Sequence, residues 1–166
     1  MMQKKICLLG GHAVGKTSLV ARFVRSIFSE KYHTTLGVKI DKKVVTTGST
    51  ETSLMIWDLA GEDEFGTLEV SYLRGASGYL LVIDGTRRSS LDRALAVQER
   101  AQEKLGAVPF IVLINKADLA AEWQLDDADL RGLTDRGWTI LKTSAKTGEA
   151  VESAFQSLTE AMLRQP

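Results

Sequence analysis

Cysteine is almost absent from this chain. The single Cys7 excludes an internal disulfide and any multi-cysteine metal site. It lies in an apolar stretch, where a thiol is packed rather than reactive. Long hydrophobic runs are missing too: the longest cover about eight residues, too short to cross a bilayer. Net charge is also lacking, with 21 Lys and Arg against 21 Asp and Glu. That balance gives no global electrostatic reason to expect nucleic acid or an anionic membrane as partner. No internal repeat, low-complexity tract or interdomain linker divides the chain, and 166 residues predict one domain, 1–166. The first residues carry no signal-peptide pattern. The last, Leu163-Arg164-Gln165-Pro166, hold no prenylation cysteine. The expectation is a cytoplasmic chain with no transmembrane segment and no lipidation motif.

What is present is organised around Gly10-Gly11-His12-Ala13-Val14-Gly15-Lys16-Thr17, which fits G-x-x-x-x-G-K-[ST]. The apolar run Lys5-Ile6-Cys7-Leu8-Leu9 precedes it and reads as a buried strand. Leu19, Val20, Phe23 and Val24 follow at helical spacing. Strand, glycine turn and helix form the context in which this motif binds phosphate. Small residues let backbone N–H groups curl around an anion. The helix N-terminus, opening at Lys16, Thr17 and Ser18, adds unpaired donors and partial positive charge. Lys16 can put a point charge between the outer phosphates. Thr17 offers a hard oxygen suited to Mg²⁺. The competing reading, a glycine turn with a capping threonine, ignores that context.

Further along, residues 26–36 lack a regular period and read as a surface loop. Residues 37–46 and 52–58 flank the Gly48-Ser49 turn and suggest a hairpin. In its first arm Val38, Ile40 and Val44 alternate as the apolar positions, and Lys39, Lys42 and Lys43 suit an antiparallel edge strand. A short helix is expected from Leu68 to Tyr72 or Leu73, and a fully apolar strand over Gly78–Asp84. Helix 90–105 follows, with Ser90 as its cap, then strand 110–115, a weaker helix 126–136 and strand 139–142. The last helix starts at Thr147-Gly148-Glu149, and its broad apolar face fits burial against a sheet better than partner binding. Buried apolar strands alternating with helices predict an α/β sandwich with a mostly parallel sheet. Right-handed crossovers bring its functional loops to the carboxyl ends of the strands.

Four polar signals fall at those ends: 10–17, 58–62, 115–118 and 144–146. Asp58 can hold Mg²⁺ through a water ligand, and Gly61 can bring its N–H close to a terminal phosphate. Asp118 of Asn115-Lys116-Ala117-Asp118 can accept from the N1–H and exocyclic amine of guanine. Adenine has no hydrogen at N1, and each buried group left unpaired costs about 1–3 kcal/mol. The stem of Lys116 can lie along the base, and Asn115 can tie this loop to the phosphate loop. Ser144-Ala145-Lys146 can close the other side, where the Ala145 N–H can meet the guanine O6. Phe28 suits either edge-on packing against the base or anchoring of its loop. Thr34 and Thr35 are either strand-leading threonines or, for one of them, a Mg²⁺ ligand engaged only with a third phosphate, which makes that loop a switch.

Together these residues resemble the Ras superfamily of small GTP-binding proteins, over nearly the whole chain. Tyr32-His33-Thr34-Thr35-Leu36-Gly37-Val38 and Ile56-Trp57-Asp58 are most similar to the Rab branch. The resemblance implies the Ras-like P-loop NTPase fold, with a six-stranded sheet, one antiparallel edge strand and five flanking helices. It implies GTP or GDP with Mg²⁺ as ligands, Thr35 as the switch magnesium ligand beside Thr17 and Asp58, and Tyr32 as a shelter for the phosphates. It implies GTPase-activating proteins, exchange factors and effectors as partners, through residues 28–42 and 58–75. The implied function is a Mg²⁺-dependent switch in which Lys16, Thr35, Gly61 and Glu62 serve hydrolysis.

This chain departs from the family at three places. Glu62 stands where glutamine is usual. An ionised glutamate only accepts hydrogen bonds and adds charge near phosphate, so slow intrinsic hydrolysis is expected. General-base action by Glu62, or a water-orienting group supplied in trans, are the other readings. His12 stands where glycine or another small residue is common. It either reaches the phosphates, blocks an arginine finger or faces solvent. The prenylated tail of most Rab-like proteins is not in this sequence, which fits either a relative that stays soluble, such as a prokaryotic one, or a sequence that stops short of such a tail. Two other classes compete with this reading. Glu62 favours a GTP-dependent interaction module with negligible hydrolysis, and an ATPase or small-molecule kinase leaves Asp118 without a purpose.

Overall fold

The computed structural model describes residues 1–26, 38–59 and 70–165. Six strands form one sheet in the order β2-β3-β1-β4-β5-β6. They are β1 (Met2–Gly10), β2 (Val38–Thr47), β3 (Thr50–Leu59), β4 (Gly78–Asp84), β5 (Phe110–Asn115) and β6 (Ile140–Thr143). β1 pairs in parallel with β3 and β4, and β5 pairs in parallel with β4 and β6. Only β2 runs antiparallel, closing the hairpin with β3 at the sheet edge. The α-helices are α1 (Lys16–Arg25), α2 (Arg88–Leu105), α3 (Asp127–Thr134) and α4 (Val151–Leu163). The helix expected from Leu68 is described from Val70 as a 3-10 turn, Val70–Leu73, which with the four α-helices makes five flanking helices among the described residues. A further 3-10 stretch, Ala117–Glu122, lay under the polar loop after β5 and has no apolar period to announce it.

Alternation along each strand sorts the core onto two faces. Ile6, Leu8, Leu80, Val82, Ile111 and Leu113 meet α1 and α4 through Leu19, Phe23, Phe155 and Leu158. Phe23 and Phe155 stack with centroids 3.9 Å apart. Cys7, Leu9, Leu81, Ile83, Val112 and Ile114 meet α2 and α3 through Ala94, Val97, Ala101 and Leu133. Fully burying a side chain of this size contributes about 1.5–3 kcal/mol. The apolar face of α4 is thus covered by the sheet, as its stripe implied. Cys7 is buried and its thiol is pushed up to about 12, chiefly by desolvation, which makes it inert.

Three local expectations are corrected. In β2 the inward positions are Asp41 and Val45, while Ile40 and Val44 are 46% and 44% exposed. Asp41 can be buried because Arg25, at the end of α1, pairs with it. Ser90 does not cap α2, whose N-cap is Arg87. Its hydroxyl sits one turn in and bonds the backbone of Asp84 and Arg87. α4 starts at Val151 after a left-handed Ala150, because residues 144–149 are taken up by a turn in which Gly148 N–H bonds Ser144 O.

β4 enters the sheet under close packing at Gly78. A Cβ there would lie 2.9 Å from the Pro109 carbonyl oxygen and 3.0 Å from Met162 Sδ. Gly78→Ala should lower unfolding free energy by about 1–3 kcal/mol, since a backbone oxygen cannot step aside. Denaturant titration with an unchanged m-value will measure it.

Candidate functional site

The parallel strands β1, β3, β4, β5 and β6 deliver their last residues to one edge. Asp84 and Asn115 are register partners there, and Asn115 is the partner of Thr143. The phosphate loop leaves β1 at this edge and turns into α1 through Gly15, at φ 103°. Ala13 is also left-handed, at φ 61°. Among the described residues α1 receives no side-chain cap at its N-terminus, and it has no acidic residue in its first turn, leaving an end suited to an anion.

Lys16 is buried and curls back over the loop. Its ammonium donates to Gly10 O at 3.2 Å and Gly11 O at 2.9 Å. Burial pulls its pKa down to about 8, partly offset by the Asp58 carboxylate. Thr17, in the first turn of α1, donates its hydroxyl to Asp58 Oδ2 at 2.5 Å. A hydroxyl and a carboxylate oxygen thus lie side by side next to the phosphate loop. This donor set fits a hard divalent cation such as Mg²⁺. Asp58 is fully buried at the end of β3, where Leu8 of β1 is its register partner. His12 is exposed at the loop's outer side, and its carbonyl accepts from Arg87 Nη2 at 2.6 Å. Ser18 follows in the same turn and is half-buried.

Asn115 joins two loops. Its amide Nδ2 donates to Val14 O at 3.0 Å, and its Oδ1 accepts from Thr143 at 3.2 Å. This strap accounts for Gly15, where a Cβ would stand 2.2 Å from that amide nitrogen. Lys116 is left-handed at φ 73°, which turns the chain toward Asp118. Asp118 Oδ1 accepts from Ser144 Oγ at 2.7 Å, and Ser144 Oγ in turn accepts from Thr147 N–H. Two loops 26 residues apart therefore orient one carboxylate. Arg22 of α1 secures the last loop by donating to Ala145 O at 2.8 Å and to Lys146 O. The phosphate loop, Asp58, Asn115–Asp118 and Ser144–Lys146 thus share one surface. Phe28, Tyr32, Thr34, Thr35, Gly61 and Glu62 lie outside the described residues.

Arg22, Asp84, Arg87, Trp123 and Thr143 contact this site and were not singled out from the sequence. Only Asp84 carried a visible signal, an acid closing a wholly apolar strand.

The Ras family model matches residues 5–164 of this chain. The chain belongs to the Ras family. Similar relatives include Ras-related protein Rab-18 of Lymnaea stagnalis, 36% identical over 98% of this chain and 81% of the relative. Ras-related protein Rab-5A of Dictyostelium discoideum is 32% identical over the full chain and 84% of its own length. Ras-related protein Rab-13 of Canis lupus familiaris is 32% identical over 96% of this chain and 79% of its own. Within the Ras family the chain is Rab-like, and its fold is that of a small GTPase. Among the described residues no helix is long and apolar enough to cross a membrane.

Two measurements follow from this geometry. Gly15→Ala meets both a left-handed backbone and the Asn115 strap, so it should cost about 1–3 kcal/mol in thermal or denaturant unfolding. The second concerns Asp84. Burial alone pushes its carboxyl up, but Lys116 and the Thr86 donors outweigh burial and hold it below the ordinary 3.8. The folded chain then binds fewer protons than the unfolded chain near pH 3.8. This part of the stability is present above that pH and is lost as pH falls through the folded-state value. Unfolding midpoints against pH should show that acid slope in the parent and a flatter one in Asp84→Asn.

Proposed function

We propose that residues 1–166 form a single GTP-binding domain acting as a Mg²⁺-dependent GTP/GDP switch with slow intrinsic hydrolysis. The observation that carries this reading is the bond from Ser144 Oγ to Asp118 Oδ1, on the same sheet edge as the Lys16 loop. It aims a carboxylate where a base would lie while a buried ammonium waits where phosphates would. Asp118 would accept from guanine N1–H and the exocyclic amine. Ala145 would offer its N–H to O6, and Lys116 its stem to the ring.

On the phosphate side, residues 10–18 would wrap the nucleotide with backbone N–H groups from His12, Ala13, Val14 and Gly15 through Ser18. Lys16 already leans on two loop carbonyls. A phosphate would give its desolvated charge a counter-ion, which favours binding of the anion. Thr17 and Thr35 would hold Mg²⁺ directly and Asp58 in its outer shell. Bound there, the ion would neutralise charge between the outer phosphates. Phe28 would flank the base and Tyr32 the phosphates. Gly61 would donate its N–H to the terminal phosphate, and Lys16 would steady charge on the oxygens as water attacks in line. Glu62 can accept from that water but cannot donate, and it sets a negative charge beside another. Slow turnover follows, and an activating protein, exchange factor or effector would act through residues 28–42 and 58–75.

Glu62 also favours a second reading, a GTP-dependent interaction module with negligible hydrolysis. Single-turnover GTP hydrolysis at saturating Mg²⁺ separates the two: measurable phosphate release supports the switch, and none supports the module. Glu62→Gln should raise the rate, whereas an unchanged or lower rate would remove the impaired-site explanation. Asp118→Asn should weaken GTP binding roughly tenfold or more, because a guanine donor then faces an amide. The same change should improve relative binding of xanthosine triphosphate, whose 2-oxo group accepts from the amide. A variant with unaltered base preference would take Asp118 out of base recognition.

A further inference from the structure

The turn from β4 into α2 lies outside every motif considered so far, yet it touches two of the nucleotide-facing loops. Arg87 Nη2 donates to His12 O at 2.6 Å, in the middle of the phosphate loop. Arg87 Nε donates to Asp84 Oδ2 at 3.1 Å. The same carboxylate oxygen accepts Lys116 Nζ at 2.7 Å, from the loop that carries Asp118. Asp84 Oδ1 is held by Thr86 through its N–H at 2.9 Å and its hydroxyl at 2.7 Å. Between them, Gly85 N–H bonds Asn115 O at 3.1 Å. Trp123 completes the arrangement. Its Nε1 donates to Lys116 O at 2.8 Å, and its ring lies so close to Gly85 that a Cβ there would be 2.3 Å away.

We infer that Asp84, Arg87 and Trp123 are positioning residues that lock the phosphate loop to the base-reading loop before nucleotide arrives. The inference rests on the guanine-nucleotide reading of the site. The physical reason is preorganisation: two loops already held in register lose less freedom when one ligand spans them. Asp84 is fully buried, and its bonds to the partly exposed Arg87 and Lys116 are charge-assisted. Arg87 is suited to the link because its rigid fork can address a carboxylate and a carbonyl at once, which a lysine ammonium does with far less geometric control. Trp123 holds the carbonyl of the left-handed Lys116, so that residue is fixed at both ends, by its carbonyl and by its ammonium. Asn115 straps the same two loops from inside the sheet edge, and the Asp84–Arg87 bracket straps them from the α2 side.

The test uses the whole chain. Amide hydrogen exchange is followed at residues 11–17 and 115–118 in the nucleotide-free protein, and GDP dissociation is timed separately. Arg87→Met should speed exchange in both loops, leave the global unfolding midpoint in place, and raise the GDP dissociation rate roughly tenfold. Arg87→Lys should not restore either quantity. Trp123→Phe, which keeps a ring but removes the N–H, should speed exchange at 115–118. Restoration by lysine would overturn the bracket in favour of a simple charge effect. Exchange that is unchanged, confined to the turn itself or raised uniformly over the chain would overturn it as well. If the parent protein bound no GDP, the guanine reading would fall, and the exchange data would still decide whether the turn locks the two loops.

Discussion

Parallel pairing across β3, β1, β4, β5 and β6 is the constraint on which the site depends. Parallel strands share a direction, so all their carboxyl ends meet on one edge. The chain must then return by a crossover on one face or the other, which is why both faces are apolar and both carry helices. The residues with chemistry to offer stand at or next to the last position of each strand. Asp58, Asp84 and Asn115 are therefore buried polar groups at the boundary of an apolar sheet. A polar group in that position must be bonded, and the bonds it makes run sideways to the next loop. The site is held together by the need to satisfy those groups.

Two straps result. Asn115 reaches Val14, which demands glycine at residue 15, and Asp84 gathers Lys116 and Arg87. The phosphate loop is thus shaped as much by strands β4 and β5 as by its own residues. Lys16 illustrates the balance. It is a buried cation whose neighbours are two carbonyls and a carboxylate, an arrangement that tolerates the charge without fully compensating it. On the proposed reading, an anion at the mouth of the loop would complete it. Stability and ligand affinity would then be joined at this point, the ligand supplying what the fold leaves electrostatically incomplete.

Much of this was legible in the chain because the signals were local. Leu19 to Val24 specify a helix by their spacing, and the apolar runs at 5–9, 78–84 and 110–115 specify buried strands by their shortness and the turn residues around them. The antiparallel edge followed from alternation and lysines around a short turn. Misreadings occurred where a distant partner decides. Nothing local marked Asp41 as the inward position beside the apolar Val38, Ile40 and Val44; Arg25 makes its buried carboxylate tolerable. Ser90 looked like a cap because serine caps helices, but Asp84 claims its hydroxyl. Arg87 and Trp123 had no signal at all, being an ordinary helix-start arginine and an isolated aromatic in a polar stretch.

The sequence by itself determined the family, the alternation of strands and helices, and which four polar loops meet at the carboxyl edge of the sheet. It could do so because those features are set by spacing within a few residues. Only the tertiary structure decided how the loops hold one another. Ser144 orients Asp118 across 26 residues, Asn115 reaches Val14 across 101, and Arg87 reaches His12 across 75. A hydrogen bond depends on direction and on distances of about 3 Å, and no local pattern encodes such a meeting. It exists only once the sheet has brought the strand ends side by side.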